Sequence, residues 1–272
     1  MITNSRLGYS GRLGNQMYQF SILYILSILY GYDIKLPIEN TINFIKVNYY
    51  LERNELFSVF NLNNNYLTQE RNIKIDRIIN KWGLKYYDEV LNLKDGSDIR
   101  GDFQSAKYYI PYKNDLLNLF KFKENILEKC NDYMCNINNL KKTVGIHIRR
   151  GDYVDLKNTI DKNYYISIIN RYFNSDDYNF ICVSDDVEWC KENLPSFINL
   201  SNSNNHGVDL CILTKCDHII GANSTFSWWG SFLNTNNGKI FMPKLWFSET
   251  YKDFYKNDYD GFLLNYNDII VV

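Results

Sequence analysis

The second half of this 272-residue chain predicts an α/β domain of the doubly wound kind, and three observations carry that expectation. From residue 143 onward, short β-branched, apolar runs alternate with longer amphipathic segments, the pattern of strand, crossover helix and parallel strand. Val144, Ile146 and Ile148 alternate with Gly145, His147 and Arg149, a period of two that defines a strand. Each apolar run is followed at once by polar, turn-forming residues, as expected at the carboxyl ends of parallel strands.

Strands are expected over 143–149, 178–183, 197–200, 217–221 and 239–242. The segments 164–173, 187–193, 208–215 and 225–234 have the length and polarity of crossover helices. In the first half, Gly11-Arg12-Leu13-Gly14-Asn15-Gln16 precedes an apolar helix expected over 17–30, and 33–36 reads as a strand that Pro37 stops. Residues 40–94 are rich in Asn, Tyr and Lys, with weak periodicity. The polar stretch 131–142 marks a domain boundary, dividing the chain into 1–138 and 139–272. No internal repeat is visible, and the Asn-rich pieces 61–65 and 202–205 read as solvated loops.

Composition narrows the function. A net charge of −1 lacks the basic surplus of a nucleic-acid coat, so any anion site is local. The most apolar early run, 20–30, is too short to span a bilayer, and no basic leader precedes an apolar core. These features predict a cytoplasmic protein without a transmembrane segment, either free or peripheral to a membrane. The six cysteines form no C-x-x-C pair, so zinc is not expected and reduced, structural thiols are. With three histidines, no G-x-S-x-G and no H-E-x-x-H, neither triad nor zinc hydrolysis is favoured.

The residues just past the expected strand ends are the candidate site. Arg149 and Arg150 open a Gly151-Asp152 turn, and strand parity puts Arg149 on the His147 face, opposite the apolar residues. A guanidinium at a buried strand end can hold two phosphate oxygens at once. His147 is either a satisfied core residue or a ligand contact. Ser184, Asp185 and Asp186 can cap a helix, or a carboxylate there can accept two N–H bonds from a guanine edge. Asn223, Ser224, Thr225, Phe226 and Ser227 open a helix whose free N–H groups suit a phosphate, and Trp228 and Trp229 read as packing residues. The Gly11 to Gln16 turn is neither a phosphate-binding Walker loop nor a dinucleotide fingerprint. Asp258-Tyr259-Asp260 reads as solvated.

Taken together, residues 11–17, the H-x-R-R-G-D-Y run at 147–153, Val183-Ser184-Asp185-Asp186 and the 222–230 segment resemble glycosyltransferase family eleven, the α-1,2-fucosyltransferases. Gly101-Asp102-Phe103-Gln104-Ser105-Ala106-Lys107-Tyr108-Tyr109 resembles that family's middle motif, and Pro243-Lys244-Leu245-Trp246-Phe247 its late element. The resemblance implies an α/β, GT-B-type fold of two Rossmann-like domains with the active cleft between them. It also implies GDP-fucose as donor substrate, no metal or other cofactor, inversion at the fucose anomeric carbon and a galactose-containing glycan as acceptor.

By the same resemblance, Arg149 holds the diphosphate and His147 lies by the nucleotide. Asp185 or Asp186 reads the guanine, residues 224–227 cradle phosphates, and Gly14, Asn15 and Gln16 face the donor from the first domain. Asp152 is the candidate general base, or only a brace for Arg149. The family's usually apolar opening strand here reads Thr3-Asn4-Ser5-Arg6, and Tyr18 stands for a usual Phe. The alternatives are a transferase of the same architecture with another donor sugar or linkage, and a non-catalytic glycan- or nucleotide-binding protein.

Overall fold

The computed structural model describes residues 1–8, 11–37, 55–68, 74–137, 140–248 and 269–272. They fall into two compact units, one comprising Met1–Lys121 and the other beginning at Phe122.

In the first unit, helix α1 spans Leu13–Tyr30 and is buried along most of its length, as an all-round apolar sequence requires. It starts four residues earlier than expected and ends at Gly31, whose left-handed backbone (φ 70°) lets its N–H reach the Ser27 carbonyl at 2.8 Å. Strand β1 (Leu36–Pro37) follows, so the strand runs on to include the proline expected to stop it. After the short helix α2 (Leu56–Val59), β2 (Leu67–Thr68) pairs parallel with β1. Strands β3 (Arg77–Lys81) and β4 (Ser97–Gly101) form a second parallel ladder, and helix α3 (Lys113–Leu119) closes the unit.

The polar opening segment joins these two ladders. Ile2 bridges Ile34 and Thr3 bridges Asp98, both parallel, which gives a spatial order of β2, β1, residues 2–3, β4, β3. The polarity of Thr3-Asn4-Ser5 has a packing reason. Asp98 is buried and pairs with Arg100 at 2.6 Å, and Ser5 gives it both its hydroxyl (2.6 Å) and its N–H (2.9 Å). An apolar strand there would leave that carboxylate short of donors.

The second unit holds helix α4 (Glu124–Cys135), then β5 (Lys142–Ile148), α5 (Gly151–Asp155), α6 (Lys162–Tyr172), β6 (Tyr178–Ser184), α7 (Val187–Asn193) and β7 (Ile198–Leu200). It continues with α8 (His206–Lys215), β8 (His218–Ile220), α9 (Thr225–Leu233), β9 (Ile240–Met242) and β10 (Ile269–Val271). Among the described residues the sheet is six-stranded and wholly parallel, in the order β7-β6-β5-β8-β9-β10. That is the doubly wound Rossmann order, with its switch point between β5 and β8.

Both faces are covered. Val144, Ile146, Ile148, Phe180 and Cys182 pack with Tyr165, Ile168 and Ile169 of α6. Ile181 and Val183 pack with Ile126 and Cys130 of α4 and with Val208, Cys211 and Ile212 of α8. Trp228 and Trp229 are fully buried, so their expected packing role holds. The contacts of α4 with α8 also place the division after Lys121 rather than at residue 138, because polarity along 131–142 marks only the exposed face of α4 and the turn into β5.

The strand and helix expectations of the second half agree with the observed elements to within two residues, while β10 has no counterpart among them. All six cysteines are free and five are buried; only Cys135 is exposed. Among the described residues no helix is long and apolar enough to cross a membrane, and no cluster of three His, Cys, Asp or Glu could hold a metal. Asp258 to Asp260 lie outside the described residues.

Gly101 shows how tightly the β3–β4 ladder ends. A Cβ there would stand 1.9 Å from the Lys81 carbonyl oxygen, so Gly101→Ala should destabilise the first unit by roughly 1–3 kcal/mol. The check is a fall in the urea midpoint.

Candidate active site

In-register parallel pairing builds the centre of the site. Ile148, the last residue of β5, stands opposite Ser184, the last of β6. The next residues on each strand, Arg149 and Arg150 on one and Asp185 and Asp186 on the other, are thereby brought side by side.

Arg149 pairs through Nη1 with Asp185 Oδ2 at 2.7 Å and through Nη2 with Asp152 Oδ1 at 2.5 Å. Its guanidinium also lies 5.3 Å from the Tyr153 ring centre. Arg150 diverges from it, a direction that the turn expected at Gly151 left open. Its Nε donates to Asp186 Oδ2 at 3.0 Å, and its guanidinium stacks 4.1 Å over the Trp189 ring. The backbone N–H of Arg150 donates to the other oxygen of Asp185 at 2.8 Å. Gly151 begins α5 rather than a simple turn, and a Cβ on it would meet Asp185 Oδ2 at 2.6 Å. Only glycine lets that carboxylate sit against the start of α5.

Three carboxylates thus face two guanidiniums, and the strand end is a closed ion-pair network rather than a bare positive patch. Arg149 uses two of its five N–H donors on carboxylates, so an anionic ligand can take others or displace Asp152, which is half exposed. Asp186 is further tied as the cap of α7, accepting from Trp189 N at 3.1 Å, and its own N–H donates to Ser184 Oγ at 3.0 Å.

His147 is buried one residue before the strand ends. Its Nδ1 lies 2.6 Å from Ser227 Oγ, and its ring packs 4.9 Å from Phe226. Ser227 Oγ accepts the Ala222 N–H at 2.9 Å and has no acceptor for its own hydrogen but Nδ1 among the described residues, which assigns the imidazole hydrogen to Nε2. Burial first, and the nearby Arg149 charge second, lower the His147 pKa to about 3. The ring is neutral at physiological pH and acts as a donor through Nε2–H.

The 223–227 segment divides its labour. Ser224 caps α9, accepting from Phe226 N at 3.3 Å. Asn223 is buried and ties loops together, its amide donating to the Asn158 carbonyl at 2.9 Å and the Trp246 carbonyl at 3.0 Å. The Ser227 hydroxyl faces inward to His147, so it orients the imidazole and is not free to touch a phosphate. What this segment presents to a ligand is the start of α9, Thr225 and Phe226, with the positive end of the helix dipole.

Within the first unit, Gly14, Asn15 and Gln16 occupy the first turn of α1. Gln16 is buried and structural, accepting from Glu55 N at 2.8 Å and donating to the Gly11 carbonyl at 3.3 Å. Asn15 accepts from Gln104 Nε2 at 3.3 Å. The sequence had singled out neither Trp189, which supports Arg150, nor Asn158, which supports Asn223. Their only sequence signals are a tryptophan three residues after a helix cap and an asparagine before a helix.

The sequence matches glycosyl transferase family 11 over residues 4–269. The chain belongs to that family. It is a glycosyltransferase. This family-11 chain is 30% identical to an O-antigen biosynthesis glycosyltransferase, WbnK, of Escherichia coli, over 88% of its length and 93% of the relative's. It is 28% identical to an alpha-1,2-colitosyltransferase of the same organism, covering 88% and 90% of the two chains. With a galactoside 2-alpha-L-fucosyltransferase of Bos taurus it shares 24% identity over 82% and 62% of the two chains. Its structure is similar to the fucosyltransferase NodZ from Bradyrhizobium (TM-score 0.55, 9% identity, 85% and 91% covered). It is likewise similar to apo POFUT1 (TM-score 0.52, 14% identity, 89% and 97% covered). The family-11 chain has the GT-B-type fold, with two α/β units built on parallel sheets.

The depressed pKa of His147 makes a signed prediction. Unfolding returns the ring to its ordinary pKa near 6.5, so between pH 6.5 and about 3 the unfolded chain binds one proton more than the folded one. Stability that His147 leaves intact above pH 6.5 is therefore lost as pH falls through that window. His147→Gln should make the fall in unfolding free energy from pH 6 to pH 4 shallower, by up to about 1.4 kcal/mol per pH unit. Urea titrations at each pH measure it.

Proposed function

We propose that this glycosyltransferase moves L-fucose from GDP-fucose to the 2-hydroxyl of a terminal galactoside, with inversion at the fucose anomeric carbon and without a metal ion. The observation that carries this is the position of Arg149. It stands at the switch point of a Rossmann sheet, beside a neutral histidine donor and the start of α9. Relatives named as galactoside α-1,2-fucosyltransferases support the linkage. Similar folds solved with GDP-fucose, POFUT1 (TM-score 0.51) and NodZ (TM-score 0.53), support a fold suited to that donor.

In the step itself, the bond between the fucose anomeric carbon and the β-phosphate oxygen breaks, and its electron pair leaves with GDP. The galactose 2-oxygen bonds to the opposite face of that carbon, and its proton passes to water, since Asp152 is engaged by Arg149. Negative charge grows on the departing phosphate, where Arg149, His147 Nε2–H and the first turn of α9 can stabilise it without rearranging. These donors take the role that a metal ion fills elsewhere. Asp152 serves best as the brace of Arg149, since its carboxylate is engaged there. Asp185 or Asp186 reads the guanine edge through lone pairs not taken by Arg149, Arg150 and the α7 cap.

A second donor is favoured by one relative. The alpha-1,2-colitosyltransferase likeness makes GDP-colitose, which is GDP-fucose without the sugar's 3-hydroxyl, the donor to test beside GDP-fucose. We also assign a cytoplasmic location, free or at a membrane surface, which fractionation of the producing cell tests.

Arg149→Lys should lower turnover at least about 100-fold, since a point charge cannot reproduce the planar fork. Rates at saturating GDP-fucose check it, and unchanged turnover would remove Arg149 from the step. Calorimetry should show GDP binding well ahead of UDP and ADP; a preference for UDP would refute the guanine reading of Asp185 and Asp186. Turnover should persist in EDTA; its abolition there and recovery with a divalent cation would refute the metal-free reading.

A further inference from the structure

The donor chemistry leaves two groups of the first unit unused, and they stand on neighbouring strand ends. Lys81, the last residue of β3, pairs with Gly101, the last of β4. The chain then leaves as Trp82-Gly83 on one side and Asp102-Phe103 on the other. Two bonds lock the exits together: Asp102 N–H donates to the Lys81 carbonyl at 3.1 Å, and Gly83 N–H donates to Asp102 Oδ2 at 2.8 Å.

Asp102 is half-buried and makes no ion pair among the described residues. Burial raises its carboxyl pKa, and the Gly83 N–H opposes this only in part. Its second oxygen, Oδ1, accepts no hydrogen bond among the described residues. Phe103 next to it has φ 51°, a left-handed backbone that a bulky side chain rarely adopts. Such strain persists only where the surroundings enforce it, and it concentrates at ligand sites.

Trp82 is the complementary oddity. The rest of its loop is pinned by Tyr108, a buried residue whose hydroxyl accepts from Tyr87 N at 2.7 Å and donates to the Tyr87 carbonyl at 3.2 Å. Tyr86 packs 4.6 Å from the Tyr108 ring, and Lys81 sits 4.3 Å over Tyr87. Trp82 itself is 42% exposed and makes no hydrogen bond, ring contact or cation contact among the described residues. A partly exposed indole on an anchored loop is a preorganised platform rather than a frayed side chain.

We propose that Trp82 and Asp102 form a saccharide subsite that takes the terminal galactose of the acceptor. The sugar's C–H face lies on the indole and a ring hydroxyl donates to Asp102 Oδ1. This rests on the galactoside reading above and names residues that hold that sugar. The scale fits, since adjacent strands run about 4.8 Å apart, close to the width of one pyranose ring. Galactose also suits the pair chemically: its axial 4-hydroxyl leaves the hydrogens of C3, C4 and C5 on one apolar face, with hydroxyls at the rim. An open carboxylate repels a phosphate and disfavours a lipid surface, which excludes the donor's diphosphate and a membrane as occupants.

The experiment uses the full chain with lactose as probe. Binding is followed by saturation-transfer NMR, and fucose transfer is measured in parallel. Trp82→Ala should weaken lactose binding at least tenfold, and Trp82→Phe should recover most of it. Asp102→Asn should weaken it several-fold, with GDP affinity by calorimetry unchanged in all three. In the transfer assay the acceptor KM should rise in the same order while the donor KM stays fixed. Lactose bound equally by the wild type, Trp82→Ala and Asp102→Asn would overturn the subsite, as would a wild type that transfers to lactose with an acceptor KM unmoved by those substitutions. Lactose binding that depends on Trp82 in a protein that transfers no fucose would uphold the subsite and refute the proposed reaction.

Discussion

The pairing of Arg149 with Asp185 is the contact on which the site depends. Asp185 accepts the Arg149 guanidinium with one oxygen and the Arg150 backbone N–H with the other, while Gly151 leaves room for it at the start of α5. Both charges are largely withdrawn from water, so neither is stable without the other; losing one partner of such a pair is costlier than the pair's own net worth. The network holds the Arg149 guanidinium between Asp185 and Asp152 before any ligand arrives. A group that must stabilise developing charge is most effective when it need not reorganise at the moment of reaction.

This arrangement rests in turn on the sheet. β5 packs against α6 on one face and lies close to Leu213 and Cys216, at the end of α8, on the other, and its register with β6 puts the two strand ends level. A slip of one residue would carry Arg149 to the opposite face and part it from Asp185. The buried His147–Ser227 bond ties β5 to α9 across the switch point, so the two loops that face a ligand are fixed to each other. Asn223, held by the carbonyls of Asn158 and Trp246, fixes the turn before α9 from the other side.

Much of this was legible in the amino-acid order, and the failures have identifiable causes. The strands and helices after residue 142 announced themselves because a parallel sheet buried on both faces needs unbroken apolar runs with crossovers between them. The turn expected at Gly151 left the direction of Arg150 open, and only the structure shows it turned to Asp186 and Trp189. The opening strand was obscure because Thr3, Asn4 and Ser5 serve a buried Asp98–Arg100 pair more than ninety residues away. The division expected at residue 138 falls after Lys121 instead, because the polar run 131–142 does not reveal that the preceding helix packs on α8. Ser227 reads as a phosphate ligand in sequence, yet its hydroxyl turns inward, a matter of helix phase and packing.

The sequence by itself determined the α/β class of the second unit, the family and the kinds of side chain that arrive at the strand ends, since these follow from periodicity and residue type. Only the tertiary structure decided how those side chains are used. It closed the two arginines into a network with three carboxylates, held His147 neutral with its hydrogen on Nε2, and left Trp82 and one oxygen of Asp102 without a polar partner among the described residues. The physical reason is that charge pairing, burial and hydrogen-bond satisfaction are properties of neighbours. In this chain the decisive neighbours lie 35 residues apart at Arg150 and Asp185, and 80 apart at His147 and Ser227.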